Sequence, residues 1–243
     1  MKRLLLILGM IVNTAWAAQD AELESVLSHL GPSVEQRLQA RFERAAVDYP
    51  PQRIQLIALK ENRRLELWAY QKDKWHFVHD YAVFAASGGV GPKLREGDKQ
   101  VPEGFYRIVE LNPNSHFHLS MKLNYPNAFD WLNATREGRT NPGSNIFIHG
   151  SAWSAGCLAI GNRYIEELFY LVAMVGLDQS AVLIAPYDLR HKEIAPTRNG
   201  PPWLGELYAY LKLRLEQFPL TEKIIKCAYD CRQGATAGHA ALP

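Results

Sequence analysis

The chain has 243 residues, of which 47% are hydrophobic and 21% are charged, and its formal net charge is +2. This composition is that of an ordinary globular protein, so it excludes a low-complexity or disordered chain. The small net charge, without a cluster of Lys and Arg, excludes an electrostatic nucleic-acid footprint, and we predict no nucleic-acid partner.

The N-terminus has the pattern of a secretory signal peptide. Lys2 and Arg3 precede the apolar run 4–12, and Ala15-Trp16-Ala17 has the form of a small-residue cleavage site. The apolar run is shorter than the roughly 20 residues that a transmembrane helix needs. We therefore predict a signal peptide at 1–17, an exported protein of the periplasm or cell envelope, and no transmembrane segment after cleavage. An uncleaved anchor is the alternative.

The rest of the chain is predicted to be a β-rich domain between two helical segments. Residues 18–52 have apolar residues at helical spacing, and Pro32 is expected to divide them into two short helices. Helices are also predicted at 162–175 and in the C-terminal extension 188–243. The central domain, 53–187, alternates with period two, which indicates strands. The predicted strands are 54–58, 65–69, 75–86, 105–109, 117–121, 145–148 and 181–185. The fold class is therefore mainly β (α+β).

The stretch FIHGSAWSAGCLAIG, residues 147–161, places a histidine eight positions before a cysteine. His149 ends a predicted strand, and Cys157 lies in a turn of small residues before the predicted helix. The thiolate is the nucleophilic form of cysteine, and a neighbouring imidazole can accept the thiol proton. We predict Cys157 as a nucleophile and His149 as its general base and acid. The alternative is a buried structural cysteine beside a structural histidine.

Backbone groups in the same stretch could complete such a site. A carbonyl can fix the tautomer of the imidazole, and we predict that the carbonyl of Gly150 orients His149. Gly156 permits a sharp turn, so the N–H groups of Gly156 and Cys157 are predicted to form an oxyanion hole.

Two other readings rest on cysteines and histidines elsewhere. Cys227 and Cys231 could form a disulfide in an exported protein, which leaves Cys157 unpaired. Their C-x-x-x-C spacing differs from the C-x-x-C pattern of thiol oxidoreductases, so the sequence does not favour that class of enzyme. Two histidine pairs are candidate metal ligands: His76 with His79, and His116 with His118. Neither pair has a third ligand at useful spacing, so no metal site is predicted.

HGSAWSAGC resembles the catalytic signature of the YkuD-type L,D-transpeptidase family, in which His-Gly, a short spacer and Ser-x-Gly-Cys follow one another. Its flanks are similar as well: SGG at 87–89, EGD at 96–98 and PEGFY at 102–106. GPKLREGDKQVPEGFY and SMKLNYPNAFD are similar to the YafK-like branch, which includes murein L,D-transpeptidases and diaminopimelate–protein amidases. The resemblance covers about residues 53–187. It implies a YkuD-like β-sandwich or barrel with a helix after the catalytic cysteine.

The resemblance also implies a reaction. Cys157 would attack a peptidoglycan stem peptide and form a thioester with the L-centre of diaminopimelate, and an amine acceptor would complete the transfer. With water as the acceptor, the same site would be an amidase that releases protein from diaminopimelate, or an L,D-carboxypeptidase. The implied partners are stem peptides and, in the amidase alternative, a cell-wall-attached lipoprotein. No metal or organic cofactor is needed. A non-catalytic cell-wall binding module is the second alternative.

The chain departs from the family pattern at two positions. Many members carry His before the Gly-Cys pair and Arg two residues after the Cys, where this chain has Ala155 and Ala159. Substrate carboxylates would then need other cations. The substrate-binding residues that we predict are Lys93, Tyr125, Arg139 and Ser154, with Arg95 and Lys122 as further candidate cations.

Overall fold

The computed structural model of the chain describes residues 2–194 and 200–219, and of residues 2–20 it describes only the helical backbone. The strands in this part of the chain are β1 Ile54–Leu59, β2 Arg64–Gln71, β3 Lys74–Ala82, β4 Ala85–Ala86, β5 Gly104–Asn112, β6 Ser120–Leu123, β7 Phe147–His149, β8 Leu158–Ala159 and β9 Ser180–Ala185. The α-helices are α1 Lys2–Ala45, α2 Ala128–Arg136, α3 Asn162–Val175 and α4 Leu204–Leu215. Cys227 and Cys231, and thus their predicted disulfide, lie outside the described residues.

The strands form one mixed sheet in the order β3-β2-β1-β9-β5-β6-β7-β8-β4. β5 joins the two halves of this sheet, because its first residues pair with β9 and its last residues pair with β6. The β5–β6 register shifts between Ile108 and Glu110, which bends the sheet at the junction. The mainly β fold with flanking helices, and with a helix that begins soon after Cys157, is confirmed.

Helices cover both faces of the β1–β9 half of the sheet, which explains why all six residues of β1 are buried. Ile54 and Leu56 pack in a core with α1 and α3, whereas Ile57 and Leu59 point to the opposite face. The second face is covered by α4, whose apolar residues are Leu204, Leu207, Tyr208, Leu211 and Leu215. Successive strand residues point to opposite faces, so a continuous apolar strand needs a helix layer on each side.

The structure differs from the sequence-based predictions at several boundaries. The expected break at Pro32 is wrong, since α1 continues through this residue. Val34, Leu38 and Phe42 beyond it are fully buried in the first core, and this packing outweighs the hydrogen bond that a proline cannot donate. The predicted strand 117–121 begins only at Ser120, and the predicted strand 75–86 is divided into β3 and β4.

None of the helices in the described ranges is both long and apolar enough to cross a bilayer. The domain bounds at residues 17, 52 and 187 stay predictions.

Candidate active site

Two short parallel strands place His149 and Cys157 on the same face of the sheet. In the pairing of β7 with β8, Ile148 lies opposite Leu158 and His149 lies opposite Ala159. Cys157 stands two residues before Ala159, so its side chain continues on the face that His149 shares. Residues eight positions apart in the sequence therefore lie on one face of two paired strands, next to the edge strand β4.

The imidazole of His149 is almost fully buried, with 2% of its surface exposed. Its Nδ1 lies 2.6 Å from the carbonyl oxygen of Gly150. Because a carbonyl can only accept, Nδ1 must carry the proton and donate it, which leaves the lone pair on Nε2. The ring also stacks on Phe117, with 4.5 Å between the ring centroids. The arrangement fixes both the tautomer and the orientation of the ring.

Gly150 occupies a place that admits no side chain. A Cβ at this position would lie 2.4 Å from the carbonyl oxygen of Phe117 and 2.7 Å from Oδ1 of Asn162. The same Oδ1 accepts the N–H of Ser151 at 2.8 Å. Asn162 is the first residue of α3, so the start of this helix holds the turn that presents the Gly150 carbonyl to His149.

Cys157 is partly exposed and is the free cysteine of the described part of the chain. Its Sγ lies 3.8 Å from the carbonyl oxygen of Asn145, a weak contact for a thiol. Burial raises the pKa of this thiol from its ordinary value of 9.0, although the backbone N–H of Phe147 and the charge of Lys93 partly offset the effect. Burial lowers the pKa of His149 from its ordinary value of 6.5, and the Gly150 hydrogen bond partly opposes this. At neutral pH the resting pair is thus a neutral thiol and a neutral imidazole.

Two serine hydroxyls hold the N–H groups predicted to form the oxyanion hole. The N–H of Gly156 donates to Oγ of Ser87 at 2.5 Å, and the N–H of Cys157 donates to Oγ of Ser154 at 3.2 Å. The hydroxyl of Ser154 in turn donates to the carbonyl oxygen of Cys157 at 2.6 Å. The N–H of Gly156 thus points towards the loop that contains Ser87, and the N–H of Cys157 points towards Ser154. The oxyanion hole stays a prediction, and it requires a substrate oxygen to replace these hydroxyls.

The predicted substrate-binding cations are already engaged within the protein. Nζ of Lys93 is buried and donates to Oδ1 of Asp98 at 2.6 Å. The guanidinium of Arg139 donates to Oε2 of Glu137 at 2.7 Å and to the carbonyl oxygen of Leu94 at 2.6 Å. Contact of either cation with a substrate would therefore require exchange of these partners.

Tyr125 and Ser154 are the other two predicted substrate-binding residues. In this conformation both form hydrogen bonds within the protein. Tyr125 is buried, and its hydroxyl donates to the carbonyl oxygen of Pro142 at 2.8 Å. Its substrate-binding role stays a prediction. Ser154 braces the backbone of Cys157, as described above.

Sequence reasoning missed Ser87, Phe117 and Trp153. Ser87 reaches Gly156 across 69 positions, and no local pattern marks such a contact. Trp153 is 62% exposed and lies parallel to the Phe117 ring that covers His149, so an aromatic stack leads from the buried imidazole to the surface. Trp153 lies between His149 and Cys157 in the sequence, and an aromatic residue in this loop is a signal that could have pointed to the stack.

Two of the histidines that were candidate metal ligands hydrogen-bond to groups of the protein. Nε2 of His76 lies 3.1 Å from the carbonyl oxygen of Gln71, and Nε2 of His118 lies 2.9 Å from Oε1 of Glu166. Across residues 2–194 and 200–219, the structure gathers no group of three or more His, Cys, Asp or Glu that could hold a metal ion.

A comparison with protein families settles the class of this domain. The family model of the YkuD L,D-transpeptidase catalytic domain matches residues 52–184. The chain belongs to this family. Among curated proteins, "Putative L,D-transpeptidase YafK" from Escherichia coli K12 is 29% identical over 167 residues, as is its O157:H7 counterpart. The match covers 68% of this chain and 65% of each relative.

Solved structures similar to this chain include the helical cell shape determining protein Pgp2 from Campylobacter jejuni and Bd1075 from Bdellovibrio bacteriovorus. Pgp2 has a TM-score of 0.47 and 23% identity, and the match covers 58% of this chain and 50% of Pgp2. Bd1075 has a TM-score of 0.42 and 21% identity, and the match covers 70% of this chain and 57% of Bd1075.

The two alanines at which this YkuD domain departs from the family pattern have different surroundings. Ala159 is fully buried, and its pairing partners in the sheet are Ala85 of β4 and His149 of β7. Ala155 is exposed in the loop before Gly156. The histidine and the cysteine of the family signature are both present in this chain, and the two departures place only methyl groups at positions 155 and 159.

Proposed function

We propose that this protein is an exported peptidoglycan enzyme of the L,D-transpeptidase type, with Cys157 as nucleophile and His149 as general base and acid. The observation that carries the proposal is the geometry of His149. Its Nδ1 donates to the carbonyl oxygen of Gly150, so the lone pair of the neutral ring is on Nε2. His149 ends β7, which pairs with β8, the strand that begins directly after Cys157. A ring nitrogen with a lone pair, on the face of the sheet that a cysteine shares, can accept a thiol proton.

The proposed reaction begins when Sγ of Cys157 attacks the L-centre carbonyl carbon of diaminopimelate in a stem peptide. Nε2 of His149 accepts the thiol proton, a C–S bond forms, and the carbonyl electron pair moves onto oxygen. The imidazolium then donates its proton to the leaving amine, the C–N bond breaks, and a thioester remains. An acceptor amine attacks the thioester, a new C–N bond forms, and the C–S bond breaks, while the amine proton passes through His149 to the leaving Sγ. No cofactor takes part.

The neutral resting pair determines when the proton moves. A raised thiol pKa keeps Cys157 protonated at neutral pH, and a lowered imidazole pKa keeps Nε2 unprotonated to lower pH than in an ordinary histidine. The proton is therefore transferred as Sγ attacks, and it does not reside on His149 beforehand. The carbonyl oxygen of the substrate would replace the serine hydroxyls on the N–H groups of Gly156 and Cys157.

Product analysis tests the proposal. Purified sacculi are incubated with the wild-type protein or with Cys157→Ala, and the muropeptides released by digestion are identified by mass spectrometry. The proposal expects new cross-links or acceptor adducts with the wild type and none with the variant. Loss of attached protein, or of the residue after diaminopimelate, would show that water is the acceptor at the same site.

Two outcomes of that experiment contradict the enzymatic proposal. One is conversion that persists in Cys157→Ala, which would place the chemistry elsewhere. The other is binding of sacculi without any change of muropeptides by the wild type, the result expected of a binding module.

A further inference from the structure

The buried carboxylate of Glu103 connects α4 to the loop 87–103, whose Ser87 contacts Gly156 next to Cys157. Glu103 is 1% exposed and receives two charged or polar donors from separate elements. Nζ of Lys60 donates to its Oε1 at 3.0 Å, and the hydroxyl of Tyr208 on α4 donates to its Oε2 at 2.8 Å. Burial lowers the pKa of Lys60, and the adjacent Glu103 carboxylate counteracts this. Such a charge pair is stable only when its hydrogen bonds are complete.

The Lys60–Glu103 pair fixes the shape of residues 87–103, which contain no helix or strand before β5 begins at Gly104. The N–H of Gly91 donates to Oε1 of Glu103 at 2.8 Å, and Nζ of Lys60 donates to the carbonyl oxygens of Gly91 and Val101, each at 2.8 Å. Side-chain groups thus replace the ladder hydrogen bonds that a strand would supply.

Ser87, the first residue of this loop, contacts the backbone of the candidate active site. The N–H of Val101 donates to the carbonyl oxygen of Ser87 at 3.4 Å. Oγ of Ser87 accepts the N–H of Gly156 and lies 3.2 Å from Oγ of Ser154, which binds the backbone of Cys157. A continuous series of hydrogen bonds therefore runs from Tyr208 through Glu103 and the loop to the two N–H groups beside Sγ.

We propose that Tyr208 and Glu103 are positioning residues: through the loop 87–103 they place the Ser87 hydroxyl, which holds the backbone of Gly156 and Cys157 ready until a substrate oxygen replaces it. Helix α4 lies beyond the family-matched segment 52–184, so the C-terminal extension takes part in building the active site. The inference rests on the proposed function for its catalytic consequence, although the positioning itself can be measured without turnover.

Tyr208→Phe tests this because it removes only the hydroxyl group. The ring still fills its buried place, but Oε2 of Glu103 loses the donor that the structure gives it. We expect amide hydrogen exchange in peptides from 87–103 to accelerate about tenfold, because an incompletely satisfied buried carboxylate holds the loop less firmly. Single-turnover acylation of Cys157 should slow about tenfold, since small misplacements of oxyanion donors are costly. Alkylation of Cys157 by iodoacetamide should keep its rate, because Sγ and His149 are untouched.

Two control variants on the same helix separate positioning from general destabilisation. Tyr210→Phe removes the hydroxyl of a half-exposed tyrosine and should change neither measurement. Leu211→Ala opens a cavity in the second core without touching Glu103, and it should lower Tm while exchange in 87–103 stays that of the wild type.

The proposal is overturned if Tyr208→Phe leaves exchange in 87–103 unchanged, or if Leu211→Ala accelerates it equally at an equal loss of Tm. It is also overturned as a catalytic statement if exchange accelerates while acylation keeps its wild-type rate. A wild-type protein that does not acylate at all would refute the proposed function instead, and the exchange measurement would still decide whether Tyr208 positions the loop.

Discussion

Replacement of His149 by glutamine is expected to slow acylation of Cys157 by a factor of about 10²–10⁴, the usual contribution of a general base. Glutamine cannot accept the thiol proton, so attack would depend on the small fraction of thiolate already present. Rates are measured in single turnovers by intact-protein mass spectrometry across a range of pH. His76→Gln, a histidine on β3 whose Nε2 contacts only a backbone carbonyl among its described hydrogen bonds, is the matched control.

The pH dependence of His149→Gln gives the sharper result. In the wild type, kcat/KM should fall on the acid side with a midpoint below 6.5, because burial lowers the pKa of His149 and the base stays neutral to lower pH. In His149→Gln this acid limb should vanish, and the rate should rise with pH towards the raised pKa of the Cys157 thiol, above 9.0. An unchanged acid limb in the variant would show that another group is the base.

Replacement of Glu167 by alanine is expected to lower the free energy of unfolding by about 3–5 kcal/mol, the cost of breaking a buried ion pair. Glu167 on α3 is fully buried and accepts hydrogen bonds from three side chains. Its donors are Arg37 at 3.0 Å, Arg41 at 2.7 Å and the hydroxyl of Tyr81 at 3.2 Å. Removal of the carboxylate would deprive Arg41 and the Tyr81 hydroxyl of this partner, whereas Arg37 would keep its contact with Glu166.

Urea denaturation of Glu167→Ala measures this loss as a lower midpoint at unchanged slope. The neighbouring Glu166→Gln is the matched control, since Glu166 is partly exposed and pairs with Arg37 near the surface. Its effect should stay within about 0.5 kcal/mol. A loss below about 1 kcal/mol in Glu167→Ala would contradict the assignment of Glu167 as the ionic link between α1 and α3.

The features that could be predicted from the sequence are those with a local signal. Alternating apolar residues identified the strands around β1 and β2, and the helical pattern identified α3. His149 and Cys157 are eight positions apart with small residues between them, so their proximity needs no long-range pairing. Chemistry then adds that a thiol and an imidazole in such a loop can act as a nucleophile and its base.

The features that could not be predicted depend on contacts between distant parts of the chain. Ser87 meets Gly156 across 69 positions, and Tyr208 meets Glu103 across 105. Periodicity tells which face of a strand is buried but not which distant side chain lies against it. Lys93 was predicted to bind a substrate because it is a cation, yet folding places Asp98 against its ammonium group. The sequence predicts a helix break at Pro32, but α1 continues through it. The packing that keeps the helix intact is a tertiary effect, which a local pattern does not show.

Formation of the thioester at Cys157 is the central claim, and intact-protein mass spectrometry after rapid mixing tests it most directly. The protein is mixed with a muropeptide whose stem peptide continues beyond diaminopimelate. The account predicts a transient mass increase on the wild type, equal to the donor minus its leaving amine and located on Cys157 by peptide mapping, and no increase on Cys157→Ala. Conversion of the substrate with no adduct on the wild type under conditions that trap thioesters, or an equal adduct on Cys157→Ala, would contradict it.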